Sequence, residues 1–167
     1  MNDPTLDAAK RALRAQVRAA RRALPLPQRA AEADATAAAA TSLIARLDPP
    51  AVASYMALPD ELDLAALHRH LWSAGRPLLL PRVSGPGELA WYVVAGPDEL
   101  APGTYGISEP DPRRARAVHL GDRALTGRLA MAIGIGFTCQ LVEDLPHGAH
   151  DRVMDGLIIA GTMPLVW

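Results

Sequence analysis

Residues 51–83 read AVASYMALPDELDLAALHRHLWSAGRPLLLPRV, and this stretch decides the fold class. The apolar run over 51–56 has the length and composition of a short buried strand. Residues 62–74 read as a helix that stops at Gly75, a residue that accepts the backbone conformation of a helix end. A second strand follows over 77–83, with Leu78 and Leu80 as its buried members. Past the turn Ser84-Gly85-Pro86-Gly87, residues 88–94 read as a third strand. Pro and Gly crowd residues 96–112, which reads as a loop. Residues 129–137 form a strongly apolar strand candidate with two glycines, and 157–160 a short late one. Strands alternating with helices predict an α/β sheet with helices on both faces.

Two helices precede this region. Leu6, Ala9, Leu13, Val17, Ala20 and Leu24 fall three or four apart, the spacing of one helical face. Pro4 suits the first turn, and Pro25 with Pro27 ends the segment. A second helix is expected over 28–47, closed by Pro49 and Pro50. Its polyalanine run has high helix propensity and little to pack with, so it is expected at the surface.

A chain of 167 residues fits one domain with a real core, and no repeat or linker divides residues 1–167. The net charge of −1 argues against a bulk nucleic-acid binder. Cys139 is the only cysteine, which rules out an intrachain disulfide and reads as a small buried hydrophobe. The start, Met1-Asn2-Asp3-Pro4, lacks the basic end and apolar run of a signal peptide, and the apolar stretches are too short to span a bilayer. A cytoplasmic, monomeric protein with no membrane partner is expected.

Lys10, the only lysine, stands one helical turn from Arg14, so the two project together. An ammonium and a guanidinium so placed can meet phosphate oxygens, although the pair taken alone reads first as a solvated helix face. Arg11, Arg18 and Arg22 line the other side of the helix and read as solvated surface. No aromatic residues interleave with them as a nucleic-acid site would require. Met56 and Glu61 fall at a strand end and in the loop after it, where open α/β sheets bind ligands. A carboxylate there can pair with ring N–H groups and a methionine can pack on a ring face. Without that context, Asp60, Glu61 and Asp63 read as helix-capping charges. In the Gly103–Pro110 loop, Tyr105 can stack on a ring and Glu109 can fix the loop. Two histidines, His147 and His150, are weak evidence for a transition metal.

Four segments then fall into an ordered set: KRALR at 10–14, SYMALPDELD at 54–63, GTYGISEP at 103–110 and GIGFTCQLVEDLPHGAHD at 134–151. The set resembles the 5-formyltetrahydrofolate cyclo-ligases, or methenyltetrahydrofolate synthetases, from about residue 7 to residue 159. The resemblance implies a three-layer α/β/α sandwich of the kind shared with sugar-phosphate isomerases and CoA transferases. It implies ATP- and Mg2+-dependent cyclisation of 5-formyltetrahydrofolate to 5,10-methenyltetrahydrofolate, with ADP and phosphate released. Lys10 and Arg14 match the family's ATP-contacting Lys-x-x-x-Arg. Met56, Glu61 and Tyr105 become the substrate candidates. Asp122 and Asp151 match its magnesium aspartates.

The sequence departs from the family at one place. The cyclo-ligases carry Pro-Gly-x-x-Phe-Asp and then Arg-Leu-Gly-x-Gly-x-Gly-Tyr-Tyr-Asp, a loop whose backbone N–H groups wrap the ATP phosphates. Here Glu109 and Pro110 lead through 111–120 directly to Gly121, Asp122, Arg123, Ala124 and Leu125. Asp122 resembles the aspartate that closes the motif, and the glycine-rich part before it is absent. A catalytically impaired folate- or nucleotide-binding member of the family therefore stands beside the active enzyme as a reading.

Overall fold

The computed structural model describes residues 4–119, 131–160, 162 and 165–166. Helix α1 runs Pro4–Ala23, with Pro4 in the first turn and Arg21 and Arg22 in the last. Both placements suit a helix, since the first turn needs no N–H donor and the last favours cations. Leu6, Leu13, Val17 and Ala20 are half-buried along one face as their spacing predicts, while Ala9 is exposed.

Helix α2 spans Leu26–Leu47. Pro25 occupies its N-cap and Pro27 its first turn, so the prolines that end α1 also start α2. The surface position expected of the polyalanine run is overturned: Thr36, Ala37, Ala40 and Leu43 are buried. The small side chains find packing partners because they let α2 approach the next helix and the late sheet closely.

Strand β1 is only Val52–Ala53, shorter than the apolar run predicts. Helix α3, Ala65–Ser73, then crosses to strand β2, Leu78–Gly85, which pairs parallel to β1. Gly75 sits beyond the helix end at φ +63°, where a side chain would be strained. Strand β3, Glu88–Val94, returns antiparallel to β2. Strands β4, Leu100–Pro102, and β5, Ser108–Pro110, form a small antiparallel ribbon inside the predicted loop. Strand β6, Arg116–Val118, adds to β3, so a strand does form in a stretch whose apolar run is too short to predict one. Its hydrogen bonds to β3 hold it where its own side chains would not. Strand β7, Ile133–Gly136, pairs parallel with β8, Gly156–Ile159, and β9, Leu165–Val166, closes that sheet antiparallel.

The fold class is α/β, with mixed rather than uniformly parallel sheets: β1-β2-β3-β6, β4-β5 and β7-β8-β9. One apolar cluster joins them. Leu78 and Leu80 of β2, Val94, Phe137 and Ile158 pack with Leu67 and Leu71 of α3 and Ala37, Ala40 and Leu43 of α2. Leu78, Leu79 and Leu80 are all buried in succession, as a strand covered on both faces requires. Among the described residues, no helix is long and apolar enough to cross a membrane.

Candidate active site

Beyond β1 the chain runs through Tyr55 and Met56 into a tight loop before α3. Glu61 closes that loop on itself: its N–H donates to the Leu58 carbonyl at 2.9 Å, and its Oε2 accepts from the Leu58 N–H at 3.0 Å. Tyr55 donates its hydroxyl proton to the Leu62 carbonyl at 2.8 Å. Burial, with the Glu61 charge second, pushes the Tyr55 hydroxyl well above its usual range, so it stays a proton donor. The N-cap of the following helix is Leu64, not Asp63 as read from sequence; Asp63, one residue earlier, still accepts from the Ala65 N–H through Oδ1 at 2.8 Å.

The Gly103–Pro110 loop faces this turn. Glu109 is only 3 % exposed, with its Oε1 3.5 Å from the Val83 N–H donor and its Oε2 3.6 Å from Arg82 Nη1. Arg82 also donates to the Pro110 carbonyl at 2.9 Å. A Cβ on Gly103 would lie 2.3 Å from Glu109 Cγ, so the glycine makes room for the buried carboxylate. Two residues on, Tyr105 has φ +61° and is 77 % exposed, an aromatic ring held out on a strained backbone.

These elements line an open cavity of about 590 Å³ whose walls include Tyr55, Met56, Glu61, Tyr105, Ile135 and Gln140. Apolar and aromatic walls with a few placed polar groups are the usual make-up of a small-molecule site. The three substrate candidates, Met56, Glu61 and Tyr105, thus meet in one place although 49 residues separate the first from the last. Nothing in the sequence marks Gln140 as a cavity residue. Its Oε1 accepts from the Phe137 N–H at 3.1 Å, and Gly136 leaves room for its carboxamide.

Lys10 and Asp151 lie elsewhere, and neither lines this cavity. Lys10 Nζ donates to Asp151 Oδ2 at 2.5 Å, and the Gly148 N–H donates to the same oxygen at 2.7 Å. Those bonds, Lys10 first, hold the Asp151 carboxyl below its usual range. Arg14, one turn along, is exposed and has no ion pair among the described residues. Asp122 falls outside the described residues. Among the described residues no three His, Cys, Asp or Glu side chains cluster as a metal site. Asp151 Oδ1 takes no hydrogen bond among the described residues, which suits one carboxylate ligand to a cation otherwise held by phosphates and water.

A second group was hidden in the sequence. Asp60, 7 % exposed, directs Oδ2 at Arg18 Nε and Arg21 Nη2, each 3.2 Å away, and at Arg22 Nε, 3.6 Å away. Burial pushes this carboxyl upward, but Arg21 and Arg18 outweigh it and leave it below the usual carboxylate range. Arg18 and Arg22 are exposed as the sequence predicts, and in addition their guanidiniums tie α1 to the Glu61 loop. Cys139 is half-buried against the core, and burial raises its thiol, as its reading as a structural residue predicts.

The sequence model of the 5-formyltetrahydrofolate cyclo-ligase family matches residues 6–131. The chain belongs to that family. The match includes Lys10, Arg14, Met56, Glu61 and Tyr105 and ends before Asp151. Solved cyclo-ligase structures share the fold. Aquifex aeolicus 5,10-methenyltetrahydrofolate synthetase is 24 % identical at a TM-score of 0.72, covering 92 % of this chain and 90 % of that one. The Mycoplasma pneumoniae 5,10-methenyltetrahydrofolate synthetase is 19 % identical at a TM-score of 0.59, covering 90 % of this chain and 97 % of that one. No curated protein matches the chain.

Proposed function

We propose that this cyclo-ligase family member closes 5-formyltetrahydrofolate to 5,10-methenyltetrahydrofolate, using Mg·ATP and releasing ADP and phosphate. The observation that carries the reading is the convergence of Met56, Glu61 and Tyr105 on one cavity of about 590 Å³. In it the Glu61 carboxylate accepts hydrogen bonds from pterin N–H groups, while Met56 and Tyr105 cover the ring faces. The formyl oxygen attacks the γ-phosphorus and ADP departs, leaving an iminium phosphate. N10 then attacks the formyl carbon and loses its proton, and phosphate leaves with the former formyl oxygen. Such a reaction asks for positioning and charge neutralisation rather than a side-chain nucleophile. Lys10 and Arg14 meet the ATP phosphates, and Asp151 with Asp122 holds magnesium, which neutralises phosphate charge. We place the enzyme in the cytoplasm as a monomer, with no nucleic-acid partner.

A second reading, folate or nucleotide binding without turnover, is favoured by the Lys10–Asp151 pair, which engages two of the assigned groups with each other. Mixing the protein with Mg·ATP and 5-formyltetrahydrofolate and following methenyl absorbance separates the two. Product in proportion to enzyme supports the cyclo-ligase. Saturable folate binding with no product supports the binding-only reading.

A further inference from the structure

Lys10 and Asp151 stand 141 residues apart in the sequence and are bonded to each other at 2.5 Å. The aspartate belongs to a turn that closes on itself. Its N–H donates to the Gly148 carbonyl at 3.0 Å, and the Gly148 N–H returns to Asp151 Oδ2 at 2.7 Å. That turn rests on the start of α1. A Cβ on Gly148 would lie 2.7 Å from Leu6 Cδ2, so the missing side chain lets the turn settle beside the helix. Lys10, one helical turn along from Leu6, reaches the same carboxylate. Oδ2 therefore receives two donors, while Oδ1 receives none among the described residues.

The turn thus holds a carboxylate in a fixed place, and the cation on it comes from the protein itself. An ammonium is a compact charge on a flexible stem, so it can leave one anion for another with no change of backbone. Triphosphate oxygens are such an anion. A hard divalent cation is the matching replacement on the aspartate, because one or two carboxylates plus phosphates form its usual set. A divalent cation arriving alone has to displace Lys10 and gains a single carboxylate. A triphosphate arriving alone has to draw Lys10 away and leaves Asp151 uncompensated beside its own charge. Arriving together, each supplies the partner that the other removes.

We propose that the Lys10–Asp151 pair is an interlock: it holds off free ATP and free divalent cation separately, and gives way to the two together. The inference rests on the assignment of Lys10 to ATP and of Asp151 to magnesium under the proposed function. It gives each residue a second, opposite role. Lys10 opposes metal binding as well as serving the phosphates, and Asp151 opposes metal-free nucleotide binding as well as serving the metal. Removing either residue should therefore improve the binding of one ligand and impair that of the other. An ion pair that merely fastened the turn to α1 would not produce such a crossing of signs.

The test measures two affinities on the full chain. Mn2+ binding without nucleotide is followed by electron paramagnetic resonance, and ATP binding in the presence of EDTA by titration calorimetry. Lys10→Ala should bind Mn2+ about tenfold more tightly than the wild type, since one charged hydrogen bond no longer competes. Asp151→Asn should bind metal-free ATP about tenfold more tightly for the same reason. Arg11→Gln and Asp7→Asn make the same charge changes on α1 at side chains outside the pair. They should leave both affinities within about twofold, as exposed charges are well screened. Absence of either gain in a folded variant would overturn the interlock. Equal gains in the two control variants would reduce the effect to bulk charge and overturn it as well. A wild type that binds ATP neither with nor without Mg2+ would instead remove the nucleotide reading, and this inference with it.

Discussion

Lys10 Nζ and Asp151 Oδ2 approach to 2.5 Å, so a group assigned to ATP and one assigned to magnesium neutralise each other. On the proposed role of Lys10 as a donor to ATP phosphate, the expected outcome of Lys10→Ala is an ATP KM raised about tenfold or more, the worth of one charged hydrogen bond. Folate affinity, measured separately by calorimetry, should change far less; equal losses in a folded variant would refute the role. Tyr105 poses the opposite question, because its backbone is strained for any residue but glycine. Tyr105→Gly relieves that strain but gives the unfolded chain more freedom, so stability should stay within about 1 kcal/mol. Folate affinity should nonetheless fall about tenfold through the lost ring contact. Met56, Glu61 and Tyr105 are legible together through the family resemblance, which makes all three substrate candidates; position after a strand or in a glycine-bearing loop alone leaves Glu61 reading as a capping charge. Asp60 is not legible, because next to Glu61 and Asp63 it has the appearance of one more capping charge.

Among the elements, the ribbon of β4 and β5 depends on one absent side chain. Gly103→Ala would drive Glu109 from its buried place beside Arg82, and the expected cost is about 1–3 kcal/mol by thermal melting. The same change should loosen Tyr105 and weaken folate binding; an unaltered melting curve would show that the loop absorbs the methyl. Helix α1 and the β1–α3–β2 unit follow from spacing and from Gly75, since local rules suffice for them. The burial of α2 does not follow, because an alanine face shows no contrast between core and solvent sides. The ribbon and β6 escape detection for a related reason: their strands are three residues long, and partners far along the chain hold them.

For the molecule as a whole, acid stability should be governed first by His68. It is 2 % exposed, 2.8 Å from Ser54 Oγ through Nε2, and burial lowers its pKa to about 4 against the unfolded value of 6.5. Between those values the unfolded chain takes up a proton that the folded one refuses. Stability should therefore be flat in this respect above pH 6.5 and fall on acidification to pH 4, by at most about 3 kcal/mol. The contributions of Asp60 and Asp151, whose pKa values are depressed, are lost only at lower pH still. His68→Gln should abolish the decline that begins near pH 6.5, whatever its effect on the melting temperature at neutral pH; a persistent decline would assign it to other groups.

No residue of α1 is fully buried, yet the helix is fastened at two points, by Lys10 to Asp151 and by Arg18, Arg21 and Arg22 to Asp60. It acts as a clasp whose two catches are electrostatic. Concentrated salt, which screens charge and leaves apolar packing strong, should therefore unlatch it before the sheets respond. In hydrogen exchange at rising sodium chloride, the amides of α1 should lose protection while those of β2 and β3 keep theirs. Uniform protection throughout the titration would mean that the half-buried leucines, rather than the ion pairs, keep the clasp shut.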